Sequence, residues 1–487
     1  MGNILGGLKP QRVWELFEQI CQIPRPSKKE ERILDFLIKF AEKHNLEYEQ
    51  DRTGNLVIRK PASNGYEDRA WAVLQSHVDM VCEKNDDVEH DFGKDPITPR
   101  IADGWVRGSG TTLGADDGIG MAVQLAILES EDIHHGPLEC LFTVDEETGL
   151  TGAFNLGEGF LTGRILLNLD SEDDGELFIG CAGGIDTNIA FDYERVSTEA
   201  DHEAFKLSVT GLKGGHSGDD IDKGRGNAIK ILNRILWNAD KKFEIRIGEI
   251  KGGNLHNAIP REAFATLTLP GRHKKEFTEL CKRLGDEIKA SMKVNEAGLK
   301  IDITESLMPD SLIDYETQKN LLNALYACPH GVISWSPDIP GLVETSTNLA
   351  AVKMTGNQLI VVTSQRSSLE TGKYDIADMV ASVFTLAGAK VKHGDGYPGW
   401  EPDLDSSILA VTRESYKRLF NEEPKVLVIH AGLECGIIGE KYPGMDMISY
   451  GPTIKGAHSP DEAIEIDTVE KFWDLTLDVL KNIPKNQ

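Results

Sequence analysis

The chain has 487 residues, of which 40% are hydrophobic and 27% charged, and its formal net charge is -27. That length allows two domains, each large enough for a core of its own. The acidity argues against nucleic acid and against anionic membranes as partners, and no stretch reaches the roughly 20 apolar residues of a membrane span.

The N-terminal segment Met1–Pro10 has no apolar run of signal-peptide length, and Gly6 stands where a myristoylation start would carry Ser or Thr. The seven cysteines (Cys21, Cys82, Cys140, Cys181, Cys281, Cys328 and Cys435) include no Cys-x-x-Cys pair. They read as reduced thiols of a cytoplasmic protein, so a metal site in this chain would be built from His and carboxylates.

In chain order, residues 11–23 predict a helix with Val13, Leu16, Phe17 and Ile20 on one side. A second helix follows Ser27, where Ser27 and Glu30 form a capping-box pattern and Ile33, Leu34, Leu37 and Phe40 form a stripe. Strands are expected at Asn55–Arg59, Ala70–Ser76, Leu138–Val144 and Arg164–Leu169, with a helix over Gly118–Leu128. Strands alternating with helices predict a largely parallel sheet.

The texture changes near Gly183-Gly184. Strands are expected at 204–210, 243–250, 262–269, 299–304 and 359–364, and helices at 226–237, 275–292, 314–327 and 376–387. The turn-rich Gly394–Pro402 segment closes this region. The α/β texture then returns with helices at 406–420 and 467–482 and strands at Val426–Ile429 and Met447–Ser449.

The fold class is therefore α/β. A discontinuous domain, residues 1–183 and 397–487, has a mixed, largely parallel sheet flanked by helices. A two-layer α+β domain, residues 184–396, is inserted into it.

Five polar groups fall at strand ends or before helices: His77-Val78-Asp79, Asp116-Asp117-Gly118, Glu146-Glu147, Asp170 and His458. Each alone has an ordinary explanation as a cap, a turn or a solvated face. Together they would converge at one edge of one sheet, where open α/β sheets bind ligands. Two His and three carboxylates suit a pair of divalent ions. Asp79 could accept the spare imidazole N–H of His77 and fix its tautomer. Of Glu146 and Glu147, one could ligate metal and the other carry the proton of an attacking water. Residue chemistry leaves that choice open, as it does the choice between Asp116 and Asp117. In the insert, His216 sits in a glycine-rich turn that permits close approach, and Arg366 suits bidentate recognition of a carboxylate.

Several ordered motifs carry a resemblance: His77-Val78-Asp79-Met80-Val81, Gly114-Ala115-Asp116-Asp117-Gly118, Glu146-Glu147-Thr148-Gly149, Asn168-Leu169-Asp170-Ser171-Glu172, Gly214-Gly215-His216-Ser217-Gly218 and His458-Ser459-Pro460-Asp461-Glu462. The chain resembles the co-catalytic zinc peptidases that include carnosinases, aminoacylases and tripeptidase T. Asn257-Ala258-Ile259-Pro260, Tyr397-Pro398-Gly399-Trp400 and His430-Ala431-Gly432-Leu433-Glu434 point within that group to the aminoacyl-histidine dipeptidase branch.

The resemblance implies a catalytic domain in two segments and an inserted lid through which the chain forms a homodimer. It implies two divalent ions, zinc before cobalt or manganese. His77 and Asp170 would hold one, Glu147 and His458 the other, and Asp116 would bridge them. Asp79 would orient His77, and Glu146 would be the general base toward a bridging hydroxide. His216 would stabilise the oxyanion from the same or a partner subunit. Asn257, Arg366, His430 and Gly432 would hold the C-terminal end of a small peptide. The expected reaction is hydrolysis of dipeptides, those ending in His above all. An aminoacylase or tripeptidase on the same scaffold is the alternative, and a non-catalytic peptide-binding relative a more distant one. The resemblance also implies a cis Asp116–Asp117 peptide.

Overall fold

Helix Gln11–Cys21 forms because its apolar residues recur at helical spacing, and it buries Trp14, Leu16, Phe17 and Ile20. Each such side chain contributes on the order of 2 kcal/mol when removed from water. Helix Glu31–Lys43 buries Ile33, Leu34, Leu37 and Phe40 in the same way. The capping box expected ahead of it does not form, since no side chain caps this helix. The Ser27 hydroxyl instead donates to Asp79 Oδ2 at 2.7 Å. Glu30 accepts from the N–H groups of Lys28 and Asp145. Both side chains serve a long-range contact that local spacing cannot reveal.

These coordinates are a computed structural model, and the structure describes residues 4–486. The first three residues of the N-terminal reading lie outside the described residues. The chain divides into two compact units. The first comprises the chain through Gly180, Trp400–Val428 and Leu433 onward; the second comprises Cys181–Gly399 and Ile429–Gly432.

The first unit is built on an eight-stranded mixed sheet. Its order is Glu47–Gln50, Leu56–Lys60, Leu138–Thr143, Ala72–His77, Ile165–Asn168, Asp446–Ser449, Glu176–Cys181 and Lys425–Ile429. The four strands from Leu138–Thr143 to Asp446–Ser449 run parallel to one another. Every residue of Ala72–His77, Leu138–Thr143 and Ile165–Asn168 is buried, as expected of parallel strands covered on both faces. Helix Ala115–Glu129 is buried almost throughout. A four-stranded antiparallel sheet joins Ile454–Lys455, Ala463–Glu465, Trp105–Arg107 and Arg100–Ala102.

The second unit carries an antiparallel sheet ordered Lys300–Glu305, His202–Thr210, Ala263–Pro270, Arg246–Gly252, Val343–Thr355, Gln358–Ser367, Gly183–Asp192 and Lys390–His393. Gly331–Trp335 pairs with Val343–Thr355. Helices Ala228–Phe243, Lys274–Met292, Tyr315–Ala327 and Glu370–Leu386 share a separate core with it. The first of these runs six residues beyond its expected end, and Asn227 caps it by accepting from the N–H groups of Ile229 and Lys230.

Candidate active site

His77 ends strand Ala72–His77, and Asp79 follows in the chain's exit from the sheet. Arg25, 2% exposed, holds that exit. Its guanidinium donates to the carbonyls of Val78, Asp79 and Gly114. Position 114 requires glycine, because its φ is +69° and a Cβ would lie 2.6 Å from Arg25 Nη2. Asp79 receives the N–H groups of Glu146 at 3.0 Å and Glu147 at 3.3 Å as well as the Ser27 hydroxyl. Its Oδ1 lies 3.4 Å from His77 Nδ1. Burial opposes ionisation of Asp79, but His77 and these donors outweigh it and hold the carboxyl down to about 2.

The segment before helix Ala115–Glu129 is clamped by Glu462, a buried carboxylate 2% exposed. It accepts from the N–H groups of Leu113 (2.7 Å), Gly114 (3.0 Å) and Ala115 (2.7 Å), the usual way a helix N-terminus takes an anion. The Asp116–Asp117 peptide is cis. The two side chains diverge. Asp117 Oδ1 accepts from Gly120 N–H at 3.0 Å. Asp116 places Oδ1 3.0 Å from His77 Nε2 and Oδ2 3.2 Å from His458 Nε2. His458 lies in the loop between the paired strands Ile454–Lys455 and Ala463–Glu465, with a φ of 63°. Glu462 closes that loop, so one residue ties the His458 loop to the Asp116 corner.

Asp170, two residues past strand Ile165–Asn168, brings Oδ1 to 3.4 Å from His77 Nε2. Glu147, in the turn after strand Leu138–Thr143, brings Oε2 to 3.0 Å from His458 Nε2. Three trios result, each with donor atoms within 4.8 Å of one another: His77, Asp116 and Asp170; Asp116, Glu147 and His458; and His77, Glu146 and Glu147. All five residues expected as ligands therefore meet, with Asp116 common to two trios and Glu146 beside them.

The donor set fits divalent cations. One imidazole nitrogen of His77 faces two carboxylates and one of His458 faces two, with Asp116 common to both. Glu147 Oε1 is buried without a hydrogen-bond partner, although orphaned buried carboxylate oxygens are costly. The electrostatics agree. Asp116 and Glu147 raise His458 to about 11. Burial would lower His77, yet Asp170 and Asp116 raise it well above its ordinary value. Burial pushes Asp170 up to about 7 and lifts Glu146 well above the carboxylate range. Protons stand in for positive charge that this cluster requires.

The remaining expected residues lie in the second unit. His216 pairs with Ala258 in the two-stranded sheet Gly215–His216 and Ala258–Ile259. The Asn257 carbonyl accepts from Ser217 N–H at 2.8 Å. His216 and Asn257 line a cavity of about 1070 Å³ with Lys213, Lys251, Arg261 and Lys353. Arg366 is 7% exposed. It donates to Tyr397 Oη at 2.7 Å, and its Nη2 lies 3.5 Å from His216 Nε2. His430 Nε2 is 2.8 Å from Ser346 Oγ, and burial lowers its imidazole to about 4. Gly432 packs on Tyr397, whose Cε2 would lie 2.8 Å from a Cβ there. Arg366 Nε and His430 Nδ1 are both buried without partners.

Sequence reasoning missed Arg25, Glu462, Ser27 as a partner of Asp79, and Tyr397 as a partner of Arg366. The only available signal was that Glu462 and Tyr397 stand inside motifs quoted for other residues.

Residues 73–482 match peptidase family M20/M25/M40. The chain belongs to that family of metallopeptidases and is an enzyme. It is 44% identical over 480 residues to the cytosol non-specific dipeptidase of Escherichia coli (strain K12), covering 99% of each chain. It is also 44% identical to the aminoacylhistidine dipeptidase of Vibrio alginolyticus, whose crystal structure it matches with a TM-score of 0.92 over 99% of each chain. The aminopeptidase PepT from Bacillus cereus ATCC 10987 shares the fold at 18% identity, with a TM-score of 0.58 over 98% of this chain and 99% of that one. The expected kinship and fold class are borne out. No helix among the described residues is long and apolar enough to cross a membrane.

Proposed function

We propose that the protein is a cytoplasmic dipeptidase that hydrolyses Xaa-His and related dipeptides with the help of two divalent ions. The observation that carries this reading is Asp116, whose two oxygens face His77 and His458 from opposite trios. In this reading His77 and Asp170 would hold one ion and Glu147 and His458 the other, with Asp116 shared between them; zinc would suit the donor set best. Such ions, when bound, acidify water and polarise the scissile carbonyl. Asp79 Oδ1, 3.4 Å from His77 Nδ1, would hold the tautomer of His77, and through the N–H groups of Glu146 and Glu147 Asp79 holds the turn that carries both glutamates. Glu146 takes a proton from the attacking water and gives it to the leaving amine nitrogen.

The second unit supplies the substrate's other end. Arg366, His430 and the Gly432 backbone receive the C-terminal carboxylate, Asn257 holds the peptide, and His216 stabilises the oxyanion. This unit is also where two copies of the chain would join. The names of the two 44%-identical relatives support dipeptides as the substrate class. Turnover of a His-terminal dipeptide, other dipeptides, a tripeptide and an N-acetyl amino acid, with metal analysis, tests the reading. Dipeptides should be cleaved best by protein holding two ions. Preference for the tripeptide or the acetylated substrate would replace it with the tripeptidase or aminoacylase alternative.

A further inference from the structure

One buried carboxylate has no part in the reaction described above. Glu434 opens helix Glu434–Lys441 and is 1% exposed. No Lys, Arg or His pairs with it among the described residues. Its Oε2 accepts from Gln75 Nε2 at 2.7 Å and from the Thr143 hydroxyl at 2.7 Å, while Oε1 is buried without a partner. Burial pushes this carboxyl up to about 7. A carboxylate so placed costs several kcal/mol, on the order of the effective penalty for a buried ion, so its surroundings are informative.

Those surroundings are the strand ends that carry the cage. Gln75 lies two residues before His77 on the same strand, and residues two apart share a face. Thr143 ends the strand that leads to Glu146 and Glu147. Gln75 Oε1 in turn accepts from Asn168 Nδ2 at 2.6 Å, and Asn168 lies two residues before Asp170. Ser449 donates to Asn168, and its hydroxyl is 2.6 Å from that of Ser171. Gln75, Thr143, Asn168 and Ser449 are each 0% exposed. The result is a dry hydrogen-bonded chain across four parallel strands, one pleat behind the expected ligands, with Glu434 at its head.

We propose that Glu434 is a positioning residue: by fixing Gln75 and Thr143 it sets the strand ends that carry His77 and the Glu146–Glu147 turn, so that the cage is formed before its cations arrive. The proposal rests on reading the cage as a metal site. Direct hydrogen-bond partners of metal ligands change affinity typically by 10- to 100-fold; Glu434 acts one link further out, through Gln75 and Thr143.

The test is zinc affinity of the apoprotein, measured by competition with a chromophoric chelator, alongside circular dichroism and melting of the apo form. Glu434→Leu should keep the fold and weaken zinc binding by about 10-fold, the lower end of that range. Glu434→Gln, whose amide oxygen can accept both bonds, should recover most of that loss. Should Glu434→Leu fail to fold, Gln75→Leu, which removes the bonds to Glu434, Thr143 and Asn168 but leaves the Thr143–Glu434 bond, should show the same weakening. Parental zinc affinity in the Leu variant that folds would overturn the proposal, as would a lower apo melting temperature with unchanged affinity. A Gln variant as weak as the Leu variant would assign the effect to charge and overturn it too. Parent protein that binds no zinc, cobalt or manganese would sink the cage reading itself, and this inference with it.

Discussion

The polar clusters of the two units are built on opposite electrostatic plans. In the first unit, carboxylate oxygens crowd imidazole nitrogens, and among the expected ligands Glu147 Oε1 and His77 Nδ1 are buried without a hydrogen-bond partner. In the second unit, Arg366 Nε and His430 Nδ1 are left without partners around Tyr397. The first arrangement calls for cations. The second would suit an anion, and in the proposed reading that anion is a peptide's terminal carboxylate. The supports differ as well. The first cluster is held by charged groups bonded to backbone, Arg25 and Glu462; the second is held by close packing at Gly218 and Gly432, where a Cβ would meet the His430 carbonyl and the Tyr397 ring.

The strongest way to break this contrast is to remove the cations. Exhaustive chelation should abolish turnover, and zinc, cobalt or manganese should restore it; full activity in protein shown by elemental analysis to be metal-free would end the cation account. Next in size is Arg366→Ala. Removing one partner of a buried charged contact costs about 2–5 kcal/mol, so KM for dipeptides should rise at least about 30-fold with metal content unchanged. A loss of metal in this variant would erase the distinction between the two clusters.

Glu462→Gln should have an intermediate effect. The amide cannot accept from all three N–H groups as a carboxylate does, so about 1–3 kcal/mol of stabilisation should go. The melting temperature should fall, and zinc affinity with it. Unchanged zinc affinity would mean that the clamp does not govern the Asp116 corner. Ser27→Ala is the smallest of the set. It removes one hydrogen bond to Asp79 while those from the Glu146 and Glu147 N–H groups remain, so the loss should be about 1 kcal/mol, lowering kcat several-fold while leaving KM near the parental value.

Three of the expected ligand positions were legible because each stands where an apolar strand run stops: His77 after Ala70–Ser76, Glu147 after Leu138–Val144 and Asp170 after Arg164–Leu169. The choice of Asp116 over Asp117 was not legible from spacing, and the resemblance supplied it. Groups that act over long separations left no periodic mark. Glu462 meets Leu113 across 349 positions, and Glu434 meets Gln75 across 359. Ser27 and Glu30 gave a false local signal for the same reason.

In the second unit, strand Val343–Thr355 escaped notice because Thr345, Ser346, Thr347 and Asn348 are polar yet buried. A strand of that kind shows neither alternation nor an apolar run. Strand Gly183–Asp192 was hidden behind its two opening glycines, which must be small because Tyr397 and Gly399 pack against them.

The central claim is that Glu146 moves the proton and does not build the cage, although it stands within 4.8 Å of His77 and Glu147 as a ligand would. Metal stoichiometry and dipeptide turnover measured on the same preparation of Glu146→Ala test this most directly. The account predicts two ions per chain, as in the parent, with turnover lower by about 10²- to 10⁴-fold. Retained turnover, or loss of one ion together with activity, would contradict it.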